Sequence, residues 1–262
     1  MKSRTNLFIG MLIFIIYCLI IILSNYFMSK ADTLNNENYE MISGILFGFI
    51  GIPIFSIIVP IYLANKWKLD YSIWPKSKNA FLVVIFIVCY IILTNYTSFK
   101  YFLTSTYTVQ DYIIHYTSTL LFHVTYYPLF LIFLFPVLRA NFGLWIGIIS
   151  TSILFALYHL TQYYFFPAGT TLLMQIVLTI AFAFNILIYL WSESILLVSL
   201  LHSTNGAIGL IANGTIFNEV DFVFYLTIVI VVSLFLYYLI KETNQRKTKE
   251  YNDEWWIHFK KF

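Results

Sequence analysis

The sequence predicts an all-α integral membrane protein of about eight transmembrane helices, and three observations carry that reading. Of 262 residues, 60% are hydrophobic and only 10% charged, where an ordinary soluble domain is about 25% charged. No Asp or Glu occurs between Asp111 and Glu193, and Arg139 is the only Lys or Arg in that interval. Apolar runs long enough to cross a bilayer recur from end to end, near 6–28, 41–64, 79–98, 112–138, 142–161, 169–191, 194–214 and 222–240. About 20 mostly apolar residues make one span. A bilayer stabilises such a composition, because each central charge costs roughly 2.5–3.5 kcal/mol on insertion scales.

The first run imitates a signal peptide, with Ser29-Lys30-Ala31 in the place of a cleavage site. Its apolar stretch, Leu7 to Leu23, exceeds the roughly 7–15 residues of a signal core, so it reads as a retained helix. The remaining runs are tested together by their basic residues. With both termini inside, Lys2, Arg4, Lys66, Lys68, Lys76, Lys78, Arg139, Lys241, Arg246, Lys247, Lys249, Lys260 and Lys261 are cytoplasmic, and only Lys30 and Lys100 lie outside. The positive-inside rule therefore favours eight spans, since one more or one fewer would move the basic C-terminal group across the membrane.

The chain reads as a single polytopic membrane domain, 1–240, followed by a basic, aromatic tail, 241–262. The tail ends in Glu254-Trp255-Trp256-Ile257-His258-Phe259-Lys260-Lys261-Phe262. Rings interleaved with lysines favour the headgroup interface, where the rings bury and the ammonium groups meet anionic lipid. A frayed tail is the plainer reading. Cys18 and Cys89 lie inside apolar runs without CxxC spacing and read as small buried residues. The bias toward Ile, Phe, Tyr, Asn and Lys suggests a bacterium with an AT-rich genome, hence a plasma-membrane location. The expected surroundings are the lipid bilayer and another membrane or cell-envelope protein or peptide. Neither a nucleic acid nor a cofactor is expected.

Intramembrane polar groups are the functional candidates, because hydrocarbon makes them costly. Carboxylates and cations are nearly absent, so the histidines stand out: His115 and His123 in the fourth run, His159 at the end of the fifth, and His202 in the seventh. Taken singly, each is first a neutral, hydrogen-bonded packing residue. Phe155 and His159 lie one helical turn apart on one face. His202 and Asn205 lie within about 60° of each other around a helix. The run Ser203-Thr204-Asn205-Gly206 is polar and small for mid-helix, and either permits close helix contact or lines a wet cavity.

At these residues a resemblance appears. The stretch LWIGIISTSILFALYHL followed by SILLVSLLHSTN resembles the CPBP family of intramembrane endopeptidases, which includes the CAAX prenyl proteases. The resemblance covers roughly 120–210 and implies a CPBP/CAAX-protease-like bundle, with a core at about 112–214. Family members carry EExxxR, then FxxxH, then HxxxN. Here Phe155 and His159 match FxxxH, while His202 and Asn205 match the last motif one residue short. Aligning the first motif puts Leu134 and Leu138 on its leucines and Arg139-Ala140-Asn141-Phe142-Gly143 on its loop. Its paired glutamates then fall on Tyr126 and Tyr127, and its arginine on Leu131.

The resemblance implies that a glutamate activates water while His and Asn position it. A phenol holds its proton at neutral pH and is a poor replacement base. Three readings follow. A catalytically degenerate relative would hold or regulate a partner, in an immunity or scaffold role, with His159, His202 and Asn205 at motif positions and Tyr126, Tyr127, His123 and Phe155 lining the cavity. An active hydrolase would use a substituted base, or a metal held by His123, His159 and His202, since three histidines and a water suit catalytic zinc. An unrelated transporter or channel subunit would make the motifs coincidental, although coupled transport usually needs intramembrane charge.

Overall fold

The computed structural model describes residues 2–69, 71–75, 109–163 and 172–211, with single positions at 81, 84, 85 and 237. Among these every regular element is helical. The third and eighth expected spans fall largely or wholly outside the described residues, as do the tail and His258. Four described helices are long and apolar enough to cross a membrane: Arg4–Leu34, Glu37–Lys66, Tyr116–Phe142 and Leu144–Thr161.

Helix α1 runs Lys2–Leu34 and takes in Ser29-Lys30-Ala31 without a break. At 1.5 Å per residue it is about 50 Å long, well beyond the roughly 30 Å hydrocarbon core. Asn35 then adopts φ +47, and Asn36 caps the next helix by accepting from the Asn38 N–H at 3.0 Å. Helix α2 (Glu37–Gly44) passes without interruption into a π-helical segment, Ile45–Ile58, and then α3 (Val59–Lys66). Pro53 sits inside the wide-turned segment, where its missing N–H removes one ladder bond.

The next helical run is built the same way. Helix α4 (Val109–Tyr127) leads into a π-helical segment, Pro128–Leu134, and α5 (Phe135–Phe142). The expected loop at 139–143 is corrected here. Arg139 to Phe142 are helical, and only Gly143 breaks the run, at φ +88 and ψ 172. Glycine alone tolerates that conformation freely. The polar residues that suggested a loop are instead a helix end, where the Asn141 side chain donates to the Val137 carbonyl at 2.8 Å. Beyond Gly143 come α6 (Leu144–Tyr163), α7 (Leu172–Ser192) and α8 (Ile195–Ile211).

By its contacts the chain falls into two compact units. The first holds the described residues of 1–71 and 125–186. There α1 packs on α2 and its π-helical continuation, while α5 and α6 form a tight pair. A Cβ on Gly147 would lie 2.9 Å from both the Cα and N of Arg139, so the α5–α6 approach requires glycine. Gly51 is nearly as tight, with a Cβ meeting the Leu46 carbonyl oxygen at 3.2 Å and Ile20 at 3.3 Å. Polar ties stitch these apolar faces: Ser24 to Ser43, Asn25 Nδ2 to the Thr161 carbonyl at 3.1 Å, and Ser56 Oγ to the Thr125 carbonyl at 2.8 Å.

The second unit holds the described residues of 72–124 and 187–256. Its α8 begins after a two-residue break in which Glu193 takes φ +50. The first N–H groups of a helix lack intrahelical partners, and here each finds one. Ile195 donates to the Ser72 carbonyl, Leu196 to the Ile73 carbonyl and Leu197 to Ser194 Oγ. Ser194 Oγ in turn donates to the Ile73 carbonyl at 3.1 Å. This clasp fixes where α8 starts, and α8 carries Ser199, His202 and Ser203.

Candidate functional site

In the first unit the motif positions are built into a packed aromatic core. Tyr126 and Tyr127 end α4, Phe155 and His159 lie on α6, and α7 contributes Phe182 and Asn185. Tyr126, Tyr127, Phe130, Phe155, Tyr158 and Phe182 are all buried. The Phe155 and Phe182 rings stack at 3.8 Å with planes 12° apart, and Phe130 meets Phe155 edge-on at 5.2 Å. Tyr126 lies 5.9 Å from Phe155, and His159 lies 4.3 Å from the same ring. Each well-placed aromatic pair contributes about 0.5–1.5 kcal/mol beyond its buried area. The positions that align with paired glutamates are therefore structural rings in close contact.

Two polar contacts organise that core. The Tyr127 hydroxyl accepts a hydrogen bond from Asn185 Nδ2 at 3.1 Å, joining α4 to α7. His159 Nδ1 lies 3.0 Å from the Phe155 carbonyl oxygen. A carbonyl only accepts, so neutral His159 carries its proton on Nδ1 and its lone pair on Nε2. A further tie comes from α1, where Tyr17 stacks on Tyr158 at 5.4 Å and their hydroxyls lie 3.4 Å apart.

In the second unit α4 and α8 bring two histidines together. His123 and His202 are stacked, with ring centroids 3.8 Å apart and planes inclined by 20°. His123 Nδ1 lies 3.0 Å from Ser203 Oγ, and Ser203 Oγ donates to the Ser199 carbonyl at 2.7 Å. A serine hydroxyl has one proton. Because Ser203 gives it to Ser199, His123 must donate from Nδ1. Tyr116, two turns earlier on α4, reaches the Leu200 carbonyl at 3.5 Å. The buried Ser199 Oγ, one turn before Ser203 on α8, has no hydrogen-bond partner among the described residues.

This stack bears on metal binding. An imidazole binds a metal in its own ring plane at about 2.0–2.1 Å. Two near-parallel planes a ring's thickness apart do not meet at that range, so the pair does not converge on one ion. No group of three His, Cys, Asp or Glu suited to a metal occurs among the described residues. Asn205 lies within α8, but its side chain, like that of His115, is outside the described residues.

Sequence reasoning missed Asn185 and Ser203 as partners. Asn185 had a signal, being a lone amide in the apolar run Ala181-Phe182-Ala183-Phe184-Asn185-Ile186-Leu187. Ser203 was read only as part of a polar, small-residue patch, and nothing in the sequence joins it to His123, 80 positions away.

Residues 127–208 match the family profile described as Rce1-like, Type II CAAX prenyl endopeptidase Rce1-like. The match opens at Tyr127 and takes in both histidine motif positions, so the resemblance read from FxxxH and the His202 helix is borne out over that stretch. No curated protein and no solved structure matches the chain.

Proposed function

We propose that this chain, Rce1-like over residues 127–208, is a catalytically degenerate relative of the CPBP intramembrane endopeptidases that holds or regulates another membrane or cell-envelope protein or peptide. An immunity or scaffold role fits that reading. Its setting is a bacterial plasma membrane, crossed by eight helices with both termini cytoplasmic. One observation carries it. Tyr127, aligned with a general-base glutamate, is buried among rings with its hydroxyl hydrogen-bonded to Asn185. No carboxylate occurs in residues 112–192 to take over. General acid–base catalysis contributes roughly 10²–10⁴-fold, so its loss leaves little turnover on an amide bond.

The test is a cleavage assay on purified protein in lipid, with prenylated and signal-type peptides as substrates. Wild type, His159→Ala, His202→Ala and chelator-treated protein are compared. We expect no cleavage above the His202→Ala background. Cleavage by wild type that disappears in His202→Ala at unchanged folding would overturn the proposal in favour of an active endopeptidase with a substituted base. Loss of that cleavage on chelation would point instead to a metal.

A further inference from the structure

The second described span ends in a feature that neither the aromatic core nor the histidine pair explains. Beyond α3 the chain closes with Trp67 N–H on the Leu63 carbonyl, Lys68 N–H on the Asn65 carbonyl and Leu69 N–H on the Ala64 carbonyl. This closure needs a left-handed residue just past the cap, usually Gly and sometimes Asn. Asn35 after α1 follows that preference. Here the left-handed residue is Lys68, at φ +52, while Glu193 after the helix ending at Ser192 is a second charged residue with positive φ. The backbone conformation does not call for lysine, and the surroundings of its side chain bear on what the charge does.

The neighbours point to the membrane surface. Lys66 and Lys68 are both exposed. Lys66 Nζ lies 5.8 Å from the ring centre of Tyr62, itself 61% exposed. Trp67, between the lysines, stacks on Phe133 at 5.2 Å. The Tyr71 hydroxyl donates to Asn65 Oδ1 at 3.1 Å. Tyr and Trp at a span's end mark headgroup depth. Asp70 is the only acidic residue between 41 and 110, so the local charge is net positive. Favourable interaction with the helix C-terminus accounts for Lys66, in the last turn, but not for Lys68 beyond it.

We propose that Lys66 and Lys68 dock the phosphate of an anionic phospholipid headgroup, with Trp67 setting the depth of the site. Purified protein is reconstituted in nanodiscs of phosphatidylcholine alone or mixed with phosphatidylglycerol. Retained lipid is counted by native mass spectrometry, and the thermal midpoint is measured alongside. Wild type should retain phosphatidylglycerol preferentially and melt higher in the mixed discs. Lys66→Gln with Lys68→Gly should lose both effects, yet melt at or above wild type in phosphatidylcholine, because glycine fits φ +52. Lys68→Asn in place of Lys68→Gly should behave the same way, keeping the turn without the charge. The basic tail is present in every variant and cancels in the comparison.

Equal phosphatidylglycerol retention by wild type and variant, or no preference in wild type, overturns the proposal. Inorganic phosphate added to phosphatidylcholine discs should leave the midpoint unchanged. A rise matching that of phosphatidylglycerol would show a free-anion site and overturn the lipid assignment.

Discussion

Tyr127 shows how much one side chain decides. Its hydroxyl is buried, and Asn185 Nδ2 lies 3.1 Å away. Interhelical hydrogen bonds in membranes average about 0.6 kcal/mol and reach about 1.7. Tyr127→Phe and Asn185→Leu should each destabilise the protein within about that range, while the double variant should cost less than their sum. The reason is that each single change strands a polar group, whereas the double change removes both. Unfolding titrations of the four proteins in mixed micelles would check this, and strict additivity would mean that the contact carries no energy. Tyr126 and Tyr127 were singled out because laying the family pattern on the chain fixes a register. Asn185 was not, because a polar residue in an apolar run gains meaning only once its partner, 58 positions away, is in place.

At the scale of the element, the apolar runs foretold the described helices closely, because length and the absence of charge suffice for a span. The misreading at 139–143 has a physical source. Arg139 and Asn141 look like loop residues, yet at a span's end a long cation reaches toward the interface without leaving the helix. The break belongs to Gly143 alone, and the close turn depends on a second glycine. At Gly147 a methyl group would meet backbone atoms of Arg139 at 2.9 Å, and no rotamer change relieves a backbone clash. Gly147→Ala should therefore pry α5 from α6 and destabilise the fold by about 1–3 kcal/mol, the usual cost of overpacking. Gly44→Ala is the control, since nothing lies within 4 Å of its added Cβ. Thermal midpoints in one detergent should separate the two, and a Gly147→Ala protein as stable as the control would disprove the tight approach.

For the whole molecule, the chain's asymmetry of charge is the information a sequence carries best. Residues 112–192 hold Arg139 as their one Lys or Arg, and no carboxylate, so this stretch has the composition of bilayer-embedded chain. The distribution of 15 Lys and Arg favours the proposed orientation, since cationic loops near span ends resist translocation. Four described helices are long and apolar enough to cross, and the proposed eight spans with both termini inside require the third, sixth, seventh and eighth apolar runs to cross as well. In a background with Cys18→Ala and Cys89→Ala, single cysteines at Asn36 and Thr215 should react with a membrane-impermeant maleimide in intact cells. Cysteines at Lys76 and Lys247 should react only after permeabilisation. Asn36 and Lys76 bracket the second span, so they check the first hairpin independently of the C-terminal half. Labelling at Lys247 from outside, with Lys76 still protected, would mean that an odd number of spans follows the loop. The seven basic residues from Arg139 onward would then be divided against the rule, and the eight-span arrangement would fail.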